Sequence, residues 1–128
     1  MNNNGVIIRR SPLPVKETID KIAEALSKNG AIIYTRINQQ TEADKAGIRL
    51  NPLEFILFGN PKRGGEVMQE NPVAALDLPL KIIAWQDDDL KAWVYYNDAV
   101  YLQSRFSLSN EVTELIDMDP VVIRILQQ

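Results

Sequence analysis

Four consecutive apolar side chains, Phe55-Ile56-Leu57-Phe58, end the segment that begins at Leu53 and restrict the fold more than any other stretch. A strand alternates its side chains between two faces, so this run puts bulky apolar groups on both. Such a strand is expected to lie centrally in a sheet and to be covered on both sides. The chain offers partners for it. Gly5–Arg10 carries Val6-Ile7-Ile8, and Ala31–Ile37 is isoleucine-rich with Tyr34 and Thr35. Leu80–Trp85 and Lys91–Tyr96 read as an antiparallel pair turned by Asp87-Asp88-Asp89.

Between the first two strands the period changes. Val15, Ile19, Ile22, Ala23 and Leu26 fall on one helical face, which predicts a helix from Val15 to Asn29 that stops at Gly30. Ser11-Pro12-Leu13-Pro14 separates it from the strand before. Gln40–Ala46 is polar and alanine-rich, a short exposed helix ending at Gly47. Asp98–Arg105 is helical, capped by Asn97 or Asp98, and Ser109 caps a further turn or two toward Ile116. Asp119-Pro120 has the cap-then-proline pattern of a helix start, although the β-branched Val121–Leu126 would also suit a strand. The resulting order is a strand, a helix, a strand, a short helix, three strands and helices. It gives an α+β domain over residues 1–128, a mostly antiparallel sheet with helices gathered on one face.

The opposite face is then exposed. Ile83 and Trp85 alternate with Ile82 and Ala84, and Trp93 and Tyr95 with Val94 and Tyr96, so both faces carry large apolar groups. A two-layer fold cannot cover both itself, and an exposed apolar patch is expected. Either a homodimer or a ligand groove accounts for it.

Composition narrows the chemistry. The 128 residues contain no cysteine and no histidine. Zinc sites of the usual kind, proximal-histidine haem and Ser-His-Asp or Cys-His nucleophiles are therefore excluded within the chain. No metal and no cofactor is expected. The net charge of −3, with Arg9-Arg10 and Lys62-Arg63 the only basic doublets, argues against nucleic-acid binding. No apolar run approaches a bilayer span, and Met1-Asn2-Asn3-Asn4 lacks signal-peptide features, so the expected location is cytoplasmic.

The candidate site is the stretch after the apolar strand, Phe58 to Met68, read as a glycine loop. Gly64-Gly65 would let the backbone approach a ligand, and Lys62 and Arg63 beside it favour an anion; the alternative is a turn between strand and helix with solvated charges. It is not a phosphate-binding P-loop. Asp77, between Leu76 and Leu78, is either a turn-capping carboxylate or an acid/base with a shifted pKa. Arg105 is either its ion-pair partner, or that of Asp98, or an anion clamp. The Asp87–Asp89 triplet lacks the spacing of a cation loop and reads as a solvated hairpin tip. Trp85 and Trp93 suit a core, an interface or an aromatic ligand.

Phe58-Gly59-Asn60-Pro61, Gly64, Met68, Asp77-Leu78-Pro79-Leu80-Lys81, Trp85, Tyr96-Asn97 and Arg105 together resemble the bacterial and archaeal domain-of-unknown-function family 302. The resemblance covers about residues 15–107, with 109–128 as a helical extension. It implies a TATA-binding-protein-like fold, strand-helix-four strands-helix, and dimerisation, but no activity. Two places depart from the family pattern: Gln39 and Phe106 stand where relatives carry histidine. Gly65-Glu66 also replaces an expected Thr-Pro.

Two readings follow. One is a non-catalytic binding or interaction module, a homodimer with a small apolar or anionic ligand at Asn60, Lys62, Gly64, Gly65, Met68, Tyr96 and Asn97. The other is a histidine-free enzyme with Asp77 as acid or base and Arg105 and Lys62 holding an anionic substrate.

Overall fold

The computed structural model describes residues 4–127; of the N-terminal stretch considered above, residues 1–3 lie outside them. Five antiparallel strands form one sheet: β1 (Val6–Ser11), β2 (Ile32–Asn38), β3 (Leu53–Gly59), β4 (Leu80–Gln86) and β5 (Ala92–Asn97). Their order across the sheet is β1-β5-β4-β3-β2. The apolar β3 is thus an interior strand, paired on both edges by β2 and β4. The helices are α1 (Val15–Lys28), α2 (Gln39–Lys45), α3 (Pro61–Glu70), α4 (Ala99–Phe106), α5 (Asn110–Leu115) and α6 (Asp119–Leu126). A 3-10 turn spans Pro72–Asp77. The expected α+β order is present, and Val121–Leu126 is helical.

One core joins a single face of the sheet to every helix except α2. Ile56, Ile82 and Val94 meet Ile19 and Ile22 of α1, Val67 of α3, Leu102 of α4 and Val122 of α6. Ile82 and Ile22 are fully buried, each contributing about 1.5–3 kcal/mol of apolar transfer. Asn29 closes α1, and Gly30 follows at a φ of 90°, where a side chain would be strained. Between β1 and α1, the buried Ser11 and Thr18 hydroxyls share a 2.6 Å hydrogen bond and so are satisfied without water. Arg36 of β2 reaches Glu54 of β3 at 2.9 Å and Asp20 of α1 at 2.6 Å, tying the helix to that edge.

The second face bears Phe55, Ile83 and Tyr95 in register with Ile8, and Trp85 opposite Trp93. None of these belongs to the core cluster. Their partial cover comes from neighbours in the sheet. The Lys81 ammonium lies 4.3 Å over the Phe55 ring, and the Arg10 guanidinium 5.7 Å over Trp93.

The hairpin tip corrects a sequence expectation. Asp87 is not merely solvated: its carboxylate accepts the backbone N–H of Asp89 and Lys91 and, at 2.8 Å, the Trp93 indole N–H. The indole bond, followed by the Lys91 amide, holds the Asp87 carboxyl below the usual carboxylate range.

Candidate functional site

Where β3 ends, the chain does not enter a glycine loop. The Asn60 side-chain oxygen accepts the N–H groups of Lys62 at 3.0 Å and Arg63 at 3.2 Å, and Pro61 occupies the first turn. A cap and a proline at that position nucleate a helix, and burial of Val67 secures it. Gly64 and Gly65 therefore sit inside α3, where each costs about 1 kcal/mol relative to alanine. The Gly64 N–H donates to the Asn60 carbonyl at 2.8 Å and is not available to an anion. Of the two alternatives, the anion-cradling glycine loop does not form; the strand runs through Asn60 into a capped helix, because the cap and the buried Val67 outweigh the glycine penalty.

Of the two glycines, Gly64 borders open space, a cavity of about 500 Å³. A Cβ added there would meet only the Met68 methyl, at 3.9 Å. One wall is the strand exit and α3, with Phe58, Asn60, Arg63 and Met68. Beside it, through the pairing of Leu80 with Phe58, lie Leu78, the cis-linked Pro79 and Leu80. Leu26 of α1 and Tyr34 of β2 contribute a third side. Tyr34 stands out at a register shift between Ile33 and Thr35, one reason an edge-strand residue reaches the cavity. The last wall is the C-terminal segment, Leu115–Met118 with Pro120, Val121 and Arg124.

That last wall is anchored from outside the cavity. The Asp119 carboxylate takes two hydrogen bonds from the Arg9 guanidinium of β1, at 2.7 and 3.0 Å, and a further short one from the Tyr96 hydroxyl of β5. Its neighbours Met118 and Pro120 both line the cavity. Burial alone would raise the Asp119 pKa, but the Arg9 and Tyr96 bonds prevail and hold it below the ordinary value. Burial first, and then the bond to Asp119, push the Tyr96 phenol well upward. Asp119 is therefore not the helix cap that the sequence suggested. Its carboxylate is committed to the sheet, and Met118 precedes α6 without a side-chain cap.

Of the residues singled out in the sequence, Asn60, Gly64 and Met68 line the cavity. Lys62 is exposed on α3, and Gly65 has open space around it; neither belongs to the lining. Tyr96 points into the core toward Asp119, and Asn97 pairs with Val6 at the end of β5. Asp77 and Arg105 pair with each other at 2.9 Å, between the 3-10 turn and α4, and neither lines the cavity. Gln39 begins α2, and Phe106 is buried in the core, so the two histidine-replacing positions lie elsewhere as well. Sequence reasoning missed Tyr34, Asp117 and Arg124, which reach the cavity through the bulge and the docking of α6 rather than through any local motif. Among the described residues no group of acidic side chains could hold a metal ion, and no helix is long and apolar enough to cross a membrane.

Comparison with known proteins places these features in a family. The profile described as "Domain of unknown function DUF302" matches residues 7–123. The crystal structure of an uncharacterized conserved DUF302 protein from Bacillus stearothermophilus superposes with a TM-score of 0.81 over 96% of each chain, at 17% identity. Two proteins named "Fluoride-specific ion channel FluC 1" are each 37% identical over 106 residues, 83% of this chain. The matched part makes up 42% of the one from Brucella suis and 39% of the one from Brucella abortus. The chain thus spans about two-fifths of the length of these relatives. With the profile extending from β1 into α6 and the whole fold superposing, the chain belongs to the DUF302 family.

Proposed function

We propose that the domain is a non-catalytic binding module that holds a small, largely apolar molecule in the cavity beside α3 and acts as a homodimer through its second sheet face. One observation carries the binding reading. The strings Phe58-Gly59-Asn60-Pro61 and Leu78-Pro79-Leu80, well separated in the chain, are brought side by side by the pairing of Phe58 with Leu80 and together line one cavity of about 500 Å³. That volume lies within the roughly 300–1,000 Å³ of small-molecule sites, and a mostly apolar wall with a few polar groups is their usual composition. The enzymatic alternative needs an acid or base beside Asn60. Asp77 and Arg105 are instead paired with each other, and Asp117, the one carboxylate in the lining, accepts the Asp119 backbone N–H at 3.1 Å.

The likeness to proteins named as fluoride channels fits a module carried beside a membrane-embedded part. The matched region has, among its described residues, no helix able to cross a bilayer.

Gly64→Phe tests the site, because the added ring fills the cavity from a helix position that tolerates a side chain. The unsubstituted protein should enhance the fluorescence of anilinonaphthalene sulfonate saturably, and the folded variant should not. Equal enhancement by both proteins would remove the cavity from consideration.

A further inference from the structure

The charges around the cavity say which chemical class it takes. Arg63 on α3 and Arg124 on α6 both line it, each from a different helix. Neither makes an ion pair among the described residues, whereas Arg9, Arg36 and Arg105 all do. Asp117 also lines the cavity, so the lining carries two positive charges and one negative. Asn60 adds a donor: its oxygen is used in capping α3, which turns its amide N–H₂ away from that task. Beneath these groups the wall is hydrocarbon, from Leu26, Phe58, Leu80 and Met118. In a chain of net charge −3, a net positive, donor-rich rim over an apolar floor selects for one anionic head on an apolar body.

We propose that the ligand is an amphiphilic monocarboxylate, its head held between Arg63 and Arg124 and its tail lying against Leu26, Phe58 and Met118. Arginine forks match a carboxylate bidentately, and a lining surplus of one positive charge is balanced by a monoanion rather than a dianion. At roughly 30 Å³ per water-sized group, the cavity of about 500 Å³ admits a body of up to about seventeen non-hydrogen atoms. This proposal rests on the reading of the cavity as a binding site and specifies its ligand.

Titration calorimetry at neutral pH and low salt, with octanoate, octanol and acetate as probes, tests it. Octanoate should bind at least about tenfold more tightly than octanol, a difference of about 1.4 kcal/mol, and acetate should not bind. In Arg63→Gln/Arg124→Gln, octanoate should weaken to the level of octanol while octanol binding is unchanged. Both arginines are exposed, so the variant is expected to stay folded, with circular dichroism as the check. If octanoate and octanol bind equally and the variant changes neither, the monocarboxylate assignment is wrong and the cavity reading survives. If no probe binds the unsubstituted protein, both are wrong.

Discussion

Asp119→Ala removes the group through which α6 is held to the sheet, and its cost can be worked from the contacts. The carboxylate ties Arg9 by two hydrogen bonds and Tyr96 by one. The Arg9 side chain is 37% exposed and that of Asp119 23%, so the ion pair is partly screened and contributes roughly 1–2 kcal/mol. The Tyr96 residue is only 4% exposed, and its hydroxyl, left with the Arg9 guanidinium alone and no anion to donate to, adds about 1–2 kcal/mol. The sum is a loss of about 2–4 kcal/mol, to be read as a lower urea midpoint at unchanged m-value. Tyr96→Phe should cost less, about 1 kcal/mol, since it deletes the hydroxyl instead of stranding it.

Asp119 also gives the effect a pH signature. Its pKa is depressed in the folded state, so its stabilisation is present above the unfolded carboxylate pKa of about 4 and is lost as pH falls through the folded value. Below pH of about 4 the difference between wild type and Asp119→Ala should therefore shrink. An Asp119→Ala protein within about 0.5 kcal/mol of wild type, the range of an ordinary surface change, would refute the reasoning. So would two stability curves that run parallel through the acid range.

Two further outcomes are expected. Asn60→Ala should destabilise by about 1 kcal/mol through loss of the α3 cap, seen as a Tm lower by roughly 3–6 °C in a calorimetric scan. An unchanged Tm would mean that α3 is held by its packing alone. Ile83→Glu, at the centre of the second sheet face, should convert a dimer to a folded monomer by light scattering, while a wild-type protein already monomeric at micromolar concentration would end the homodimer proposal.

Where the sequence was legible, the signals were short-range. The Val15–Leu26 stripe specifies α1 because five apolar positions on one helical face have one way to be buried together. The alternation Ile82–Trp85 and Trp93–Tyr96 likewise assigned side chains to the two faces, with Trp85 and Trp93 directly opposed. The reading of residues 60–70 failed because it weighed Gly64-Gly65 above Asn60-Pro61. Glycine propensity is a penalty spread over a segment, whereas a cap satisfies named N–H groups at the point where a helix must nucleate.

The binding site was visible only in pieces. Phe58–Pro61 and Leu78–Leu80 stand out as strings, yet nothing local says that strand pairing sets them side by side on one cavity. The role of the charges was less legible still. Arg105 and Lys62 were the natural anion holders on paper, but Arg105 is engaged by Asp77 and Lys62 faces solvent. Of the Lys62-Arg63 pair only Arg63 lines the cavity, joined there by Arg124, whose helix is held to the β1–β5 edge of the sheet where Asp119, five residues earlier, bonds Arg9 and Tyr96. Patterns of apolar residues determine which elements form, since burial and capping act within a few turns of chain. Which charge is left free to meet a ligand depends on pairs that close only when distant elements pack, and that was decided by the tertiary structure.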